Sequence, residues 1–173
     1  MPELVEILID RPAIANRVNE LGRQISADYA GRELLVVGVL TGAFIFTADL
    51  VRALDLDLEV DFIRVASYGA ATCSSGQVSL TKDLECQVSA RDLLLVEDIV
   101  DTGRTLAWLK AHLLARNPAS LKVCALIDKS ERREVAVEVD YVGFPVAEGF
   151  LVGYGLDCGG RYRQLPDIRR LGQ

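Results

Sequence analysis

The sequence contains few side chains that bind metals through nitrogen or sulfur. Its 173 residues include a single histidine, His112, and four cysteines, at positions 73, 86, 124 and 158. No two of these cysteines have the close spacing of a zinc motif, and one histidine cannot complete such a site. We therefore expect neither a zinc site nor a disulfide framework.

Long hydrophobic runs are also missing. The longest apolar stretch, about residues 34–40, is much shorter than the roughly 20 residues needed to cross a bilayer as a helix. The N-terminal residues Met1, Pro2 and Glu3 lack the basic and apolar regions of a signal peptide. The sequence therefore predicts a cytoplasmic protein without a membrane partner.

Positive charge is not in excess. The chain has 19 Lys and Arg against 25 Asp and Glu, a formal net charge of −6. A protein whose main role is to neutralise nucleic-acid phosphates needs the opposite balance, so no nucleic-acid partner is expected. The apolar fraction of 50% over 173 residues is typical of a single globular domain, which we assign to residues 1–173.

Short apolar runs alternate with amphipathic segments along the chain. Strands are predicted at about 34–40, 58–68, 93–96, 121–127, 139–144 and 150–154, with an extended arm at 78–84, and helices from Asp10 with Pro12 in the first turn, over 44–51 and over 106–116. Continuous apolar strands of this kind form a mostly parallel sheet that helices cover on both faces, an α/β fold. Such sheets bind ligands at the carboxyl ends of their strands, so the loops after Leu40, Val96 and Ile127 are candidates.

Two adjacent carboxylates, Glu97 and Asp98, directly follow the predicted strand at 93–96. Burying them is costly unless they meet hydroxyls, cations or amide donors, and vicinal ribose hydroxyls meet this need. The next residues, 101–105 (Asp-Thr-Gly-Arg-Thr), enter a helix, whose first amides favour a phosphate. Together they predict a site for ribose 5-phosphate; the alternative is an ordinary helix cap beside two solvated acids.

Residues 96–106 resemble the phosphoribosyl pyrophosphate signature of type I phosphoribosyltransferases. Nearly the whole chain is similar to their hypoxanthine-guanine branch, the bacterial members most closely, with matching segments at 38–44, 61–64, 67–69, 128–129 and 152–157. The resemblance implies that family's fold: the mostly parallel sheet with helices on both faces, plus a small purine-binding hood and a flexible loop. The hood would comprise about 129–173 with the N-terminus. The loop, about 68–80 and headed by Ser67 and Tyr68, would exclude water from the site.

The resemblance also implies roles for the residues that bind phosphoribosyl pyrophosphate. Glu97 and Asp98 would contact the ribose hydroxyls directly or through Mg²⁺, and Asp101 would be the catalytic group that moves the proton at purine N7. The phosphate and pyrophosphate contacts would come from Thr102, Gly103, Arg104, Thr105, Leu40, Thr41, Gly42 and Arg163. A non-proline cis peptide often occurs in the loop at Thr41, where relatives carry a basic residue that this sequence lacks; the alternative for this loop is a plain glycine turn.

On the purine side, the resemblance implies that Lys129 donates to the O6 atom, that Phe150 stacks on the ring and that Leu151 contacts the ring edge through its backbone. Asp157 would help to hold Mg²⁺ with Glu97 and Asp98. Without the resemblance, Lys129 would be read as a solvated lysine in a charged run, Phe150 as a core residue and Asp157 as a turn acid.

The predicted function is purine salvage. The enzyme would transfer 5-phosphoribosyl from phosphoribosyl pyrophosphate to N9 of hypoxanthine or guanine, giving IMP or GMP and pyrophosphate, with Mg²⁺ as cofactor and as a homodimer or homotetramer. Three alternatives stay open: a phosphoribosyltransferase for another base such as xanthine, an inactive structural subunit, and an RNA-binding regulator on the same fold. The last would need a basic patch, for which Arg132, Arg133, Arg169 and Arg170 are candidates.

Overall fold

The computed structural model describes residues 4–68 and 77–172. Within these residues the chain forms nine strands and three helices. In chain order they are β1 (Leu4–Ile9), α1 (Arg11–Asp28), β2 (Leu34–Leu40), α2 (Phe44–Ala53), β3 (Leu58–Tyr68), β4 (Gln77–Lys82), β5 (Asp92–Val100), α3 (Arg104–Leu114), β6 (Ser120–Lys129), β7 (Tyr141–Val146), β8 (Leu151–Val152) and β9 (Ile168–Leu171).

Six strands form the large sheet, in the order β4-β3-β2-β5-β6-β7. Strands β3, β2, β5, β6 and β7 run parallel, and β4 alone pairs antiparallel, with β3. The prediction of a mostly parallel sheet is confirmed. Parallel order brings the carboxyl ends of β2, β5 and β6 to one edge, where the predicted site residues follow in the chain.

Helices cover both faces of the large sheet because successive strand residues point to opposite sides. Leu34 and Val36 of β2 belong to the core cluster that contains residues of α1 and α2. Leu35 and Val37 belong to a second cluster, with residues of α3. Each fully buried side chain of this kind contributes about 1.5–3 kcal/mol, so both faces stabilise the sheet, and the predicted arrangement of helices is confirmed.

The start of α1 follows the predicted pattern. Asp10 accepts a hydrogen bond of 2.9 Å from the Ala13 amide, and Pro12 occupies the first turn, where no amide is needed. Ile14 and Val18 are buried against α2 and the sheet. No helix of the described ranges is long and apolar enough to cross a membrane.

Three strands form a separate small sheet, in the order β1-β9-β8, with antiparallel pairing throughout. The sequence analysis missed β1 and β9 as strands. Both are short and carry charged side chains; Arg170 of β9 pairs with Glu6 of β1 at 3.2 Å. Strand β7 belongs to the large sheet, so the small sheet takes only the last part of the region 129–173. Its role as a hood stays a prediction.

Strand β5 is longer than predicted, and this changes the placement of the two acids. Its pairing with β2 ends at Val96, but its pairing with β6 continues to Val100, which lies opposite Asp128. Glu97 and Asp98 therefore lie in the strand and not in the loop after it. Helix α3 correspondingly begins at Arg104, two residues earlier than predicted.

The predicted flexible loop at 68–80 falls mainly on residues 69–76, which lie outside the described residues. The backbone of Ser67 and Tyr68 belongs to the end of β3, and that of residues 77–80 to β4. The roles assigned to Ser67, Tyr68 and the loop stay predictions.

Candidate active site

A cleft of about 730 Å³ opens at the carboxyl ends of β2, β3 and β5 and at the start of α3. It brings together segments that are far apart in sequence, including Asp157 and Arg163 from the chain after β8. The predicted site residues that line it are Leu40, Thr41, Gly42, Glu97, Asp98, Asp101, Thr102, Gly103, Thr105, Asp157 and Arg163.

The two acids of β5 lie side by side, with Glu97 buried and Asp98 partly buried. Glu97 is 6% exposed, and its Oε1 accepts a 3.2 Å hydrogen bond from the Asp98 amide. Burial and the neighbouring Asp98 charge raise the pKa of Glu97 well above its usual range. Burial also raises the pKa of Asp98, although Glu97, the Ile99 amide and Arg163 favour its charged form. Hydroxyl donors or a cation would supply the partners that this pair lacks.

The loop after β2 presses against this acid pair. A Cβ atom on Gly42 would lie 1.8 Å from Asp98 Oδ2, so any side chain at this position would displace the loop or the carboxylate. The Leu40–Thr41 peptide bond before it is cis, as the resemblance implied. Gly155, at φ +99°, approaches the Gly42 carbonyl so closely that a Cβ there would lie 2.2 Å from it. Backbone groups therefore meet at this end of the cleft.

Arg163 is fixed beside the loop. Its Nη1 donates to the Gly155 carbonyl at 2.6 Å, and its Nη2 lies 3.0 Å from Asp157 Oδ1. Asp157 Oδ2 in turn accepts from the Gly160 amide at 2.7 Å. The guanidinium and the carboxylate therefore reach the cleft as one oriented pair, as expected for a site that binds an anion near a cation.

The turn from Asp101 to Arg104 closes the other end of the cleft. Gly103 has φ +86° and forms the N-cap of α3 without a side-chain cap, so first-turn amides stay available for a ligand. The Thr102 hydroxyl accepts from the Arg104 amide at 3.3 Å. The Arg104 side chain instead pairs with Glu134 at 2.5 Å, and Arg104 does not line the cleft, so its side chain is not placed for the predicted phosphate contact.

Asp101 lies between this cleft and a second cavity. Its side chain is 31% exposed, with Oδ1 3.9 Å from Lys129 Nζ and Oδ2 3.6 Å from Arg132 Nη1. Oδ1 is buried and has no hydrogen-bond partner among the described residues. Such an oxygen is available to a ligand proton.

The second cavity, of about 570 Å³, is lined by Lys129 and Phe150 together with residues of the small sheet. Lys129 is 6% exposed, so the reading as a solvated lysine is wrong; its Nζ lies 3.6 Å from Glu131 Oε2. Phe150 is 53% exposed, so the reading as a core residue is also wrong. The Leu151 side chain belongs to the core, so only its backbone can serve a ligand.

The acids fit Mg²⁺ only with help from a ligand. In the described parts of the chain, no three histidine, cysteine or acidic side chains cluster closely enough to hold a metal. Glu97, Asp98 and Asp157 thus do not form a protein-only cage. Magnesium is usually held by one or two carboxylates plus substrate phosphates, and the adjacent acids Glu97 and Asp98 in the cleft fit that arrangement.

Sequence reasoning missed several residues at the site. Arg64 and Thr81 line the main cleft, and Arg64 lies opposite Leu40 in the sheet, so the rule of carboxyl strand ends could have identified it. Arg132 and Arg133 were considered only as part of a basic patch. Their contacts with Asp101 depend on how the chain turns after β6, and no sequence pattern reveals this.

Comparison with known proteins agrees with this geometry. Residues 5–158 match the phosphoribosyl transferase domain. The chain is 48% identical over 166 residues to the bifunctional protein TilS/HprT of Listeria innocua, covering 96% of this chain and 26% of that protein. It thus spans about a quarter of that relative's length. It is 43% identical over 173 residues to the hypoxanthine phosphoribosyltransferase of Escherichia coli K12, covering 99% and 97% of the two chains.

A solved structure is similar over the whole fold. The hypoxanthine-guanine phosphoribosyltransferase of Bacillus anthracis, crystallised with a HEPES molecule in its active site, aligns with a TM-score of 0.93 at 42% sequence identity. The alignment covers 98% of this chain and 100% of that chain. The likeness therefore covers nearly the whole fold, including both sheets.

Proposed function

The chain belongs to the phosphoribosyl transferase family, and we propose from this premise that it is a hypoxanthine(-guanine) phosphoribosyltransferase of purine salvage. It transfers 5-phosphoribosyl from phosphoribosyl pyrophosphate to N9 of a 6-oxopurine and releases pyrophosphate. Relatives and a solved structure with this named activity, at 42–43% identity over nearly the whole chain, support the proposal. A cytoplasmic location and a homodimeric or homotetrameric assembly stay predictions.

The observation that carries the proposal is the position of Asp101. It lies between the cleft that suits a sugar phosphate and the cavity that suits a base, with one buried oxygen free of hydrogen bonds within the described chain. A base that attacks through N9 must lose a proton, and a purine that leaves in the reverse reaction must gain one at N7. A carboxylate at this place performs both transfers as a general base and acid.

The sugar phosphate is held from two sides. Glu97 and Asp98 accept from the ribose hydroxyls, and the turn from Thr102 to Thr105 binds the 5-phosphate through first-turn amides and hydroxyls of α3. The first-turn amides left uncapped by Gly103 support the phosphate contact. The protein thereby fixes the sugar carbon relative to Asp101.

Pyrophosphate leaves toward the loop after β2. Leu40, Thr41 and Gly42 offer backbone groups there, and Arg163 offers a cation close to Asp157. Magnesium, held by Glu97 and Asp98 with Asp157 on the pyrophosphate side, would supply charge neutralisation for the leaving group. Because Thr41 has no charge, the positive side chains at this end are those of Arg163 and Arg64.

The base lies in the second cavity. Phe150 offers an exposed ring face for stacking, the Leu151 backbone meets the ring edge, and the buried ammonium of Lys129 donates to O6 of hypoxanthine or guanine. Adenine presents an amino donor at that position, so it would leave the lysine uncompensated. The geometry supports a preference for 6-oxopurines and leaves the ranking of hypoxanthine, guanine and xanthine to experiment.

The contacts of the candidate basic patch favour the enzyme over an RNA-binding regulator. Each of its four arginines has a carboxylate partner: Arg132 with Asp101, Arg133 with Asp128, Arg169 with Asp167 and Arg170 with Glu6. Paired in this way, the arginines offer less positive potential to a polynucleotide. Strongly salt-dependent RNA binding would instead support the regulator.

A panel of bases tests the proposal. Purified protein is assayed for pyrophosphate release with phosphoribosyl pyrophosphate, Mg²⁺ and either hypoxanthine, guanine, xanthine or adenine. We expect turnover with hypoxanthine or guanine and none above background with adenine. No release with any base would refute the proposal, and turnover with xanthine alone would assign the chain to the alternative base.

The same panel with Lys129→Ala tests the base-reading role. Removing the ammonium should weaken use of 6-oxopurines and reduce discrimination against adenine by about 10- to 100-fold, because the discriminating donor is gone. Lys110→Ala, a change in α3 outside the linings of both cavities, is the control for loss of one lysine. If Lys129→Ala excludes adenine as strongly as the wild type does, another group reads O6.

A further inference from the structure

The Arg133 side chain crosses the ends of two neighbouring strands behind the site. Its Nε donates to the Asp101 carbonyl at 3.0 Å, and its Nη2 reaches the carbonyls of Val100 and Lys129, each at 3.2 Å. The same nitrogen forms a short ion pair with Asp128. Val100 and Asp128 are opposite each other in β5 and β6, so one guanidinium bridges both strands just where they leave the sheet.

The residues after Arg133 continue this contact along the back of the phosphate-binding turn. The Thr102 carbonyl accepts from the amides of Glu134 and Val135, at 2.9 and 3.0 Å. A Cβ on Gly103 would lie 2.5 Å from the Val135 carbonyl, so the two segments touch without room for a side chain. The turn is thereby fixed against the segment that follows Lys129.

These contacts set the distance between two groups that act on different parts of the substrate. Asp101 and Lys129 are 3.9 Å apart at their side-chain tips, and their backbone carbonyls share the Arg133 guanidinium. Arg133 itself lines neither the main cleft nor the second cavity. Its effect on a ligand must therefore pass through the residues that it holds.

We propose that Arg133 is a positioning residue that couples the phosphoribosyl-binding turn to the base-reading Lys129. The proposal rests on the proposed function, because it assigns the two ends of one nucleotide to these two elements. The planar guanidinium satisfies acceptors on both strand ends at once, which a lysine ammonium on a flexible stem cannot do with the same geometry. A ligand that spans both elements gains from this coupling, and a ligand that touches only one gains little.

The test compares ligands that span the site with ligands that do not. In Arg133→Met, we expect the affinity for IMP and the turnover number to fall by about 10- to 100-fold, because a small misplacement of reacting groups has an effect of that size. The affinity for ribose 5-phosphate, which contacts the turn and the acid pair but has no base to reach Lys129, should change by less than about threefold. Added guanidinium ion at non-denaturing concentration should partly restore turnover in Arg133→Ala.

Arg91→Met is the matched control. Its side chain is 22% exposed, against 23% for Arg133, and it forms a comparable ion pair with Glu59 at 3.0 Å away from the cleft. We expect this variant to keep wild-type turnover and IMP affinity. If Arg133→Met does not fold, Arg133→Lys replaces it, and we expect that variant to fold but to show the same selective loss of IMP affinity.

Two results would overturn the coupling. One is equal loss of affinity for IMP and ribose 5-phosphate, which would make Arg133 a general support of the fold. The other is behaviour like that of Arg91→Met. Failure of the proposed function is distinguishable, because it would appear as absence of turnover and of IMP binding in the wild-type protein.

Discussion

The two carboxylate oxygens of Asp101 have different surroundings. Oδ2 faces the exposed guanidinium of Arg132 at 3.6 Å, whereas Oδ1 is buried, receives no hydrogen bond within the described chain and has Lys129 Nζ at 3.9 Å. A buried acceptor without a donor is a cost to the folded state. A ligand that brings a proton to Oδ1 removes this cost, which is the behaviour expected of a group that exchanges a proton with its substrate.

Replacing Asp101 with asparagine should separate catalysis from binding. The amide keeps the size of the side chain but cannot take or return a proton, so turnover should fall by about 10²- to 10⁴-fold. The Michaelis constant for phosphoribosyl pyrophosphate and the melting temperature should change little. Steady-state kinetics and thermal unfolding measure both, with exposed Glu20→Gln as the control for a lost charge. Unchanged turnover at saturating substrates would remove Asp101 from this role.

Another buried acid, Asp61 in β3, is a structural anchor. Its Oδ1 accepts from the Phe62 amide at 2.7 Å, and its Oδ2 accepts from the amides of Glu85 and Cys86 at 2.7 and 2.9 Å. Burial alone would raise its pKa, but the amide donors from Cys86, Phe62 and Glu85 outweigh burial and lower it. The charged carboxylate therefore attaches the chain after β4 to the edge of the sheet.

Asp61→Asn should destabilise the protein in a pH-dependent way. Because the folded pKa is lower than the unfolded value of about 3.9, the carboxylate stabilises the fold above that pH, and this stabilisation is lost as pH falls toward the folded pKa. The variant should lose about 1–3 kcal/mol at neutral pH, and the difference from wild type should shrink at and below about pH 4. Thermal unfolding between pH 3 and 8 measures this. Exposed Asp55→Asn should show no such trend, and an Asp61 difference independent of pH would contradict the anchor.

The roles of site residues were predictable from the sequence where a side chain conflicts with the hydrophobic pattern around it. Glu97 and Asp98 interrupt an apolar strand, and that conflict pointed to a ligand. Phe150 and Lys129 show no conflict locally, so the residues alone favoured the wrong environment and only the resemblance assigned them to a site. Arg133 could not be assigned either way, because its acceptors are backbone carbonyls whose positions depend on the tertiary structure.

At the scale of elements, the site exists because β5 extends beyond β2. After Val96, β5 pairs with β6 alone, so the edge that carries Asp98 is open toward the loop after β2. Gly42 occupies that opening and contacts the Asp98 carboxylate. The unequal lengths of two parallel strands thus produce the space in which a sugar, a pyrophosphate and the acids can meet.

Gly42→Ala should therefore damage the site more than the fold. The added methyl group would overlap Asp98 Oδ2, so the loop or the carboxylate must move, and displacement of a positioned group can reduce kcat/KM by about 10²-fold. Gly31→Ala is the control, because it adds a methyl group in open space at a position with φ +77°. Each variant should lose about 1 kcal/mol or more of stability, but only Gly42→Ala should lose activity. Wild-type kinetics for Gly42→Ala would show that the loop can relax freely.

The strands that are buried on both faces were predictable from the sequence, whereas the short strands of the small sheet were not. Strands β2, β5 and β6 are covered on both faces and read as continuous apolar runs, which indicated a parallel sheet. The short strands β1 and β9 show no regular alternation of apolar and charged residues, and they are held by pairing across nearly the full length of the chain, as between Glu6 and Arg170. A pairing of such sequence separation leaves no local pattern, so the small sheet was missed.

At the scale of the whole molecule, the proposed site takes residues from both the six-stranded and the three-stranded sheet. The cleft belongs to the large sheet, whereas the base cavity is lined by Phe150 and by Arg170 and Leu171 of the small sheet. A nucleotide would fill the cleft and the base cavity at once, which neither a free base nor a sugar phosphate does. Ligand binding should therefore stabilise the molecule in proportion to how many of these contacts the ligand makes.

At equal ligand concentration, IMP and GMP should raise the melting temperature more than hypoxanthine or ribose 5-phosphate does. The concentration is chosen so that hypoxanthine and ribose 5-phosphate bind weakly. At 100 times its dissociation constant a ligand contributes about 2.7 kcal/mol, which corresponds to about 5–10 °C for a domain of this size. AMP is the informative comparison, because it keeps the sugar phosphate but replaces O6 with an amino group. Its shift should approach that of ribose 5-phosphate, since Lys129 then faces a donor. A shift with AMP equal to that with IMP would mean that Lys129 does not discriminate between the two bases.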